Sequence, residues 1–336
     1  TDAAVTDNLP DSVVDITAAA LTVTAGTFGA SGNDLDTSVD FLSIATWATG
    51  GSQFINELTG LSGLDLNAGT GNVSLLLTEG PVGDADADPD IRATAAVVTL
   101  ADADDSGDDF GSSLNPIGTG VSDLSVDTSA GANDGSQWIA EADDLSELDL
   151  NAGVGGDIQL AVGGGIASAD AAADLSGDDL TVSAVTGIGA VGAALGTDVA
   201  TLDAVNSTSG DLVINEVAAG LNLDVRRAAQ DGGSGSIALS TERGNLTVLG
   251  TGLGVQLTNA ANAAGTIWLD ANVTVPANDE PLPRGDVVVN QVVTSQGGAI
   301  SITADHDVTG EATGVITSNG GTITIRCREE DGQAVL

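Results

Sequence analysis

The chain has 336 residues and a formal net charge of −42, and all seven of its basic residues are arginines. Such a negative field makes nucleic acids and anionic membranes poor partners, and no apolar run is long enough to be inserted across a bilayer. Hydrophobic residues make up 42% of the chain but aromatic residues only 2%, which excludes a disordered chain and favours thin, regular layers of aliphatic side chains.

Short segments in which apolar and polar residues alternate recur along the whole chain. Period-two alternation predicts β-strands with one buried face, and the Gly, Asn, Asp and Ser residues between them predict tight turns. No long stretch has helical periodicity. In chain order the predicted strands are LTVT (21–24), LDL (64–66), VSLLL (73–77), LDL (148–150), IQLAV (158–162), LTV (180–182), LVI (212–214), LNLDV (221–225), IAL (237–239), LTV (246–248), VQL (255–257), IWL (267–269), VTV (273–275), VVV (287–289), ISI (300–302) and ITI (323–325).

The sequence also repeats itself. The hexapeptide LDLNAG occurs at 64–69 and again at 148–153. It is preceded by GSQFINE (51–57) in the first copy and by GSQWIAE (135–141) in the second, and a third, diverged copy contains GDLVINE (210–216). A repeat of about 75–84 residues that occurs three times predicts supersecondary units that stack on one another.

Two architectures fit these strands and repeats. The preferred prediction is an all-β parallel β-helix, or β-solenoid, with roughly 20 residues per coil, and the alternative is an array of β-sandwiches built from hairpins. In the solenoid, residues 1–13 form an N-terminal extension or cap that is available to contact a neighbouring subunit. Residues 14–250 hold the three repeats, and residues 251–336 continue the coil without the clear motif. The predicted repeat core contains Leu64, Leu66, Leu148, Leu150, Leu221 and Leu223.

Three matching segments carry a resemblance to a known class of protein. They are GASGNDLDTSVDFL (29–42), GSSLNPIGTGVSDL (111–124) and GAALGTDVATL (192–202), and they are followed by FINE, WIAE and VINE. The pattern resembles the repeats of filamentous-haemagglutinin-like adhesins and related β-strand-repeat exoproteins of bacterial surfaces, over roughly residues 14–250. This resemblance implies a right-handed β-helix, secretion, and a role in adhesion or in an extracellular fibre. It provides no catalytic residues to transfer.

The two ends of the sequence bear on its location. The chain starts at Thr1 without a recognisable signal peptide, as a processed secreted chain or a segment of a longer one would. We therefore expect an extracellular or cell-surface protein. The single cysteine, Cys327, rules out an intrachain disulfide framework and either links subunits or remains a free thiol.

Two acidic runs, DADADPD (84–90) and DADDSGDD (102–109), are candidate calcium sites. They place carboxylates at alternate positions, and calcium takes oxygen ligands of this kind. Neither run matches an EF-hand loop or a GGxGxD repeat, so solvated acidic loops are the preferred interpretation and calcium sites the alternative. The candidate ligands are Asp84, Asp86, Asp88, Asp102, Asp104 and Asp105, and no other cofactor is predicted.

Other residues recur at equivalent repeat positions. Glu57, Glu141 and Glu216 either form a carboxylate ladder or end a strand. Phe54 and Trp138 share a position, which predicts a core layer rather than a sugar-stacking platform. Sequons make Asn72, Asn206, Asn245 and Asn272 glycosylation candidates.

The composition favours a structural function over an enzymatic one. His306 is the only histidine, lysine is absent and the arginines are scattered, so the concentrated site of a polysaccharide lyase or hydrolase is not predicted. The preferred function is an extracellular β-solenoid that self-associates head-to-tail into a surface filament or matrix fibre. The alternative is an adhesin shaft or glycan-binding module of a larger exoprotein, in contact with cell-surface glycans. A polysaccharide-acting enzyme ranks third.

Overall fold

The computed structural model describes residues 3–7, 13–84, 86, 88–101, 107–131, 133–167, 172–217, 222–271, 285–328 and 333–335. The chain divides into two compact units, Thr1–Gly163 and Gly164–Leu336. The first unit contains β1 Ala4–Val5, β2 Ile16–Thr24, β3 Thr27–Phe28, β4 Leu35–Ala45, β5 Gln53–Glu57, β6 Gly63–Asn67, β7 Val73–Leu77, β8 Ile91–Arg92, β9 Ala95–Leu100, β10 Ile117–Gly120, β11 Asp123–Asp127, β12 Gln137–Glu141, β13 Glu147–Asn151 and β14 Ile158–Val162. The second contains β15 Leu175–Ala184, β16 Leu195–Asn206, β17 Leu212–Glu216, β18 Leu223–Gln230, β19 Ile237–Thr241, β20 Leu246–Val248, β21 Gly254–Leu257, β22 Ile267–Ala271, β23 Val287–Val289, β24 Val293–Thr294, β25 Ile300–Ala304, β26 Val308–Gly310, β27 Ile316–Thr317, β28 Ile323–Cys327 and β29 Ala334–Val335.

In the first unit the strands form two parallel stacks. One stack runs through β5, β7, β9, β11 and β13, and the other through β6, β8, β10, β12 and β14. The two stacks meet in β4, because residues 35–37 pair with β5 while residues 41–45 pair with β6. Each turn of the chain therefore adds one strand to each stack.

The second unit follows the same rule with one further stack. Strands β17, β19, β22, β25 and β28 pair in sequence. The long strand β18 pairs with both β20 and β21, which start two separate stacks: β20, β23, β26 and β29, and β21, β24 and β27.

The pairings decide between the two predicted architectures. Every strand pairing between described residues is parallel, and the described residues contain no helix, which confirms the all-β β-solenoid and excludes hairpin-built sandwiches. There are about 13 turns, roughly 23 residues apart rather than the predicted 20. The spacing is larger because the connections vary: Gln53 pairs with Val73, whereas Ile267 pairs with Ile300.

Aliphatic side chains fill the inside of the coils. A fully buried Leu, Ile or Val contributes about 1.5–3 kcal/mol relative to an exposed one, and most of the strands repeat this contribution. In the two LDLNAG copies, Leu64 stacks on Leu42 and Leu148 stacks on Leu124. Of the predicted repeat core, Leu64, Leu66, Leu148, Leu150 and Leu223 are buried, and Leu221 lies outside the described residues.

A column of glycines occupies one corner of the second unit. This glycine stack comprises Gly235, Gly265, Gly298 and Gly321. A Cβ atom added to Gly265, Gly298 or Gly321 would overlap the carbonyl oxygen of the glycine one rung earlier. The corner thus lets successive backbones approach to a distance that no other residue type allows.

A second corner of the same unit holds a ladder of polar side chains. The side-chain oxygen of each residue accepts the backbone N–H of the equivalent residue one rung later, at 2.6–2.9 Å. The members of this polar ladder are Asn222, Asn245, Asp286, Asp307 and Gln333. His306 lies beside the ladder, with its Nδ1 atom 3.1 Å from Asp286 Oδ1. The ladder satisfies backbone donors at a turn, where strand pairing does not reach.

None of the described residues belongs to a helix of the length and hydropathy needed to cross a membrane.

Candidate functional site

Three short loops leave the coil at the same point of the three sequence repeats, over residues 29–34, 111–116 and 189–194. The residue before each loop is fully buried and pairs with the first residue of a strand one rung later: Phe28 with Gln53 of β5, Phe110 with Gln137 of β12, and Ile188 with Leu212 of β17. The chain re-enters the same strand two positions further on, where Leu35 pairs with Ile55, Ile117 with Ile139, and Leu195 with Ile214. These excursion loops are therefore inserted into a rung without breaking its stack.

A buried glutamate supports the coil next to each excursion loop. Glu57, Glu141 and Glu216 each accept a hydrogen bond from a threonine hydroxyl on the paired strand, at 2.6–2.8 Å. Each also accepts a backbone N–H two residues beyond that threonine, at 3.1–3.2 Å. The threonines are Thr37, Thr119 and Thr197, and the N–H donors are Val39, Val121 and Val199.

These glutamates do not form a carboxylate ladder. Glu57 is stacked between Thr37 and Leu77, whereas Glu141 is stacked between Thr119 and Val162. Each carboxylate instead satisfies donors of its own rung and its neighbour, which is how a buried charge is tolerated.

Phe54, Trp138 and Val213 are equivalent residues beneath the three excursion loops. The prediction of a core layer for Phe54 and Trp138 is wrong, because both side chains point outward between inward-facing neighbours. Each loop begins with a glycine at positive φ, between 61° and 80°. A Cβ on any of these three glycines, Gly29, Gly111 and Gly189, would press on the carbonyl oxygen of the residue beneath it. The loop backbone therefore rests on the strand beside each of these outward side chains.

The third repeat differs because its outward residue is small. Val213 takes the place of Phe54 and Trp138, and a groove of about 540 Å³ opens beside the loop. Val191 and Ala193 of the loop line one end of this groove, and Trp268, 41% exposed, lines the other. We call this the Trp268 groove. Its volume lies in the range of small-molecule sites.

Polar side chains border the apolar floor of the Trp268 groove on both sides. Along one edge, Ser240 donates a hydrogen bond to Asn215 (2.7 Å), and Asn215 donates to Glu242 (3.2 Å). Along the other, the N–H of Ser236 is bound by Asp211, and the hydroxyls of Ser236 and Thr266 lie 3.1 Å apart. Hydroxyl, carboxamide and carboxylate groups thus surround a floor made of Val213 and Ala238.

Arginines lie on the far side of Trp268. Arg326 and Arg328 line a second depression of about 680 Å³, which Trp268 also borders. Arg328 pairs with the buried Asp270 at 2.7 Å. Burial raises the pKa of Asp270, although the arginine opposes that shift. Cys327 also lines this depression, and its thiol contacts the carbonyl of Gln333 at 3.2 Å.

The first unit contains a candidate metal centre. Asp84, Asp86 and Asp90 each offer a carboxylate oxygen, and these oxygens all lie within 4.8 Å of one another. Burial, opposed by a 2.6 Å hydrogen bond from the N–H of Gly118 and assisted by the nearby carboxylates of Asp84 and Asp86, raises the pKa of Asp90 to about 7. A cluster of this kind fits a divalent cation with oxygen ligands.

Asp90 gives the first unit a defined pH dependence. Because its pKa is higher in the folded chain than the ordinary value of 3.8, the folded state binds more protons between these two values. The free energy of unfolding therefore falls as the pH rises from about 4 to about 7 and then stays level. We expect Asp90→Asn, which keeps an acceptor for Gly118, to reduce this slope and raise stability at pH 8 by on the order of 2 kcal/mol, measured by urea unfolding.

Asp88→Asn is the matched control for that substitution, because Asp88 is exposed and lies outside the cluster. Calcium in the millimolar range is expected to stabilise the wild-type chain at pH 8 but not Asp90→Asn, since a cation relieves the same repulsion that a proton relieves. A pH slope as steep in Asp90→Asn as in the wild-type chain contradicts the assignment.

The remaining predicted site residues are distributed as follows. Asp84 and Asp86 are brought together, but with Asp90 instead of Asp88, whose N–H donates to Asp86 at 2.9 Å. Asp102, Asp104, Asp105 and Asn272 lie outside the described residues.

The three described sequons differ in exposure. Asn72 is exposed, and Asn245 is partly exposed with its side chain in the polar ladder. Asn206 is fully buried and donates to the carbonyls of Ser209 and Gly210, which removes it from the glycosylation candidates of the folded chain.

Comparison of the chain with protein-family models, curated proteins and solved structures found no match.

Proposed function

We propose that this chain is a structural β-solenoid of an extracellular filament or matrix fibre, and that it acts as a scaffold without catalytic activity. The observation that carries the proposal is the repetition of one rung design: buried aliphatic strands recur from turn to turn in both units, and the second unit adds a glycine stack and a polar ladder. The resemblance to adhesin-type exoproteins supports the same proposal. His306 sits beside the polar ladder rather than in the Trp268 groove, which supports a role in the scaffold.

The last long strand supports self-association. Ile323 of β28 is 41% exposed, whereas its partner Ile300 on β25 is fully buried. Strand β28 pairs with β25 on one side, and its outer backbone edge invites a further parallel strand. A second copy that stacks here would continue the coil head-to-tail.

The N-terminal segment bears on which end contacts a neighbour. Ala4 and Val5 pair in parallel with Thr27 and Phe28 of the same chain. These residues therefore cover the first rung of their own unit, and the predicted contact of residues 1–13 with a neighbouring subunit would use the outer edge of this strand.

Assembly is expected to depend on salt and on Ile323. Screening shortens the reach of the −42 charge, so filaments should form at about 1 M salt and not at about 0.01 M. Ile323→Asp should abolish them, because it places a charge in the stacking face. Negative-stain electron microscopy and sedimentation measure both outcomes. Leu253→Asp, at a 61% exposed site, is the control and should assemble normally.

Filaments that form equally well with Ile323→Asp, or wild-type protein that stays monomeric at every salt concentration, would reject head-to-tail stacking. The second candidate function is an adhesin shaft or glycan-binding module of a larger exoprotein. The Trp268 groove is the observation that favours it. The length of the native gene product separates the two, since a precursor close to this length favours the polymerising subunit.

A further inference from the structure

We propose that the Trp268 groove is a binding site for a neutral saccharide. The three repeats differ in the outward residue beside the excursion loop. Phe54 and Trp138 place an aromatic ring beside the first and second excursion loops, whereas the third repeat has the smaller Val213, which is 9% exposed and forms part of the floor of the groove beside its loop. The space left beside Val213 is accordingly suited to a six-membered ring brought by a ligand.

The walls of the Trp268 groove combine an aromatic surface with polar edges. Trp268 presents an exposed aromatic surface against which the C–H face of a sugar ring packs. Asn215, Ser240 and Glu242 line one edge, and Ser236 and Thr266 line the other. A pyranose ring has apolar faces and carries hydroxyl groups around its rim. Its faces would pack against Trp268 and the apolar floor, and its hydroxyls would meet the hydrogen-bonding groups along both edges of the groove.

The Trp268 groove does not accept a peptide that adds as a β-strand. The floor strands β17, β19 and β22 are each paired on both sides, with β16 and β19, with β17 and β22, and with β19 and β25. None of the three offers the unpaired backbone edge that strand addition requires. Recognition in the groove therefore rests on side chains, as a saccharide requires.

Charge selects a neutral ligand. Asp211 and Glu242 line the groove, and the chain carries a net charge of −42, so an anionic sugar would be repelled. The arginines Arg326 and Arg328 lie in the separate depression beyond Trp268. A sulfated or carboxylated glycan is expected on that side and not in the Trp268 groove.

The test is isothermal titration of the full chain with three neutral probes, cellotetraose, laminaritetraose and chitotetraose, and one anionic probe, a heparin tetrasaccharide. Saturable binding of at least one neutral probe is expected. Trp268→Ala should weaken it at least about tenfold, in line with the loss of a central aromatic anchor. Trp47→Ala, at an exposed tryptophan of the other unit, should leave the dissociation constant unchanged.

A second variant separates binding from folding. Val213→Trp installs the ring that the second repeat already has at Trp138, so it should fill the groove and abolish binding while the melting temperature is retained. Binding of none of the neutral probes, binding of the heparin probe alone, or full binding by Val213→Trp would each overturn the proposal. The titration is done on unassembled protein at low salt, so its result is independent of whether filaments form.

Discussion

Glu141→Ala is expected to lower the free energy of unfolding by about 3–5 kcal/mol, the range for removing one partner of a buried, hydrogen-bonded charge. The Glu141 carboxylate accepts the hydroxyl of Thr119 at 2.6 Å, the N–H of Val121 at 3.2 Å and the N–H of Asp143 at 2.9 Å. Alanine leaves these donors without an acceptor, and leaves a cavity inside the coil. Urea unfolding followed by circular dichroism measures the loss.

Two further variants make this result specific to the buried carboxylate. Glu147→Ala removes an exposed glutamate of the neighbouring strand β13 and should change stability by less than about 0.5 kcal/mol. Glu141→Gln keeps the volume and one acceptor oxygen but turns an amide donor toward other donors, so an intermediate loss is expected. Equal stability of Glu141→Ala and Glu147→Ala would show that the buried carboxylate does not stabilise the coil.

Gly298→Ala is expected to cost more than about 3 kcal/mol, above the usual range for an added methyl group in a packed interior. The added Cβ would overlap the carbonyl oxygen of Gly265, and Ala264 O would lie 3.1 Å away. These neighbours are backbone atoms of the preceding rung, so a side-chain rotation cannot relieve the overlap. The rungs themselves would have to separate beyond their spacing of about 4.8 Å, at the expense of strand hydrogen bonds.

Gly233→Ala is the control in the same unit. An added Cβ there would have only ordinary contacts, the nearest being Ala261 Cβ at 3.9 Å, and the smaller entropy of the unfolded chain should make the change neutral or slightly stabilising. Thermal unfolding and soluble yield are the measurements. A melting temperature of Gly298→Ala equal to that of Gly233→Ala would mean that the corner can relax without the loss we expect.

The strand rhythm was sufficient to predict the solenoid, but it did not identify which side of some strands is buried. In β5, a polar-outside rule places Gln53 and Glu57 at the surface and Phe54 inside. The structure reverses this phase because Gln53 donates to the carbonyl of Ile44 at 3.0 Å and Glu57 binds Thr37. Strand phase is set by hydrogen-bond partners from other rungs, which the local pattern does not reveal.

The candidate sites were only partly predictable from the sequence, because residues from different rungs contribute to them. Alternate spacing identified Asp84 and Asp86, but Asp90 joins them because the N–H of Gly118, one rung later, binds its carboxylate. The Trp268 groove has no local motif. The alignment of Val213 with Phe54 and Trp138 was available in the sequence, but its meaning depended on knowing that this position faces outward.

The offset between the first two glutamates also determines where a duplicated segment points. Since Glu57 and Glu141 stand in different stacks of the first unit, the 84-residue period that separates their segments is not a whole number of turns. The second copy is therefore rotated about the axis of the first unit relative to the first copy. Duplication with such a period presents equivalent outward residues, here Phe54 and Trp138, on different sides of the coil.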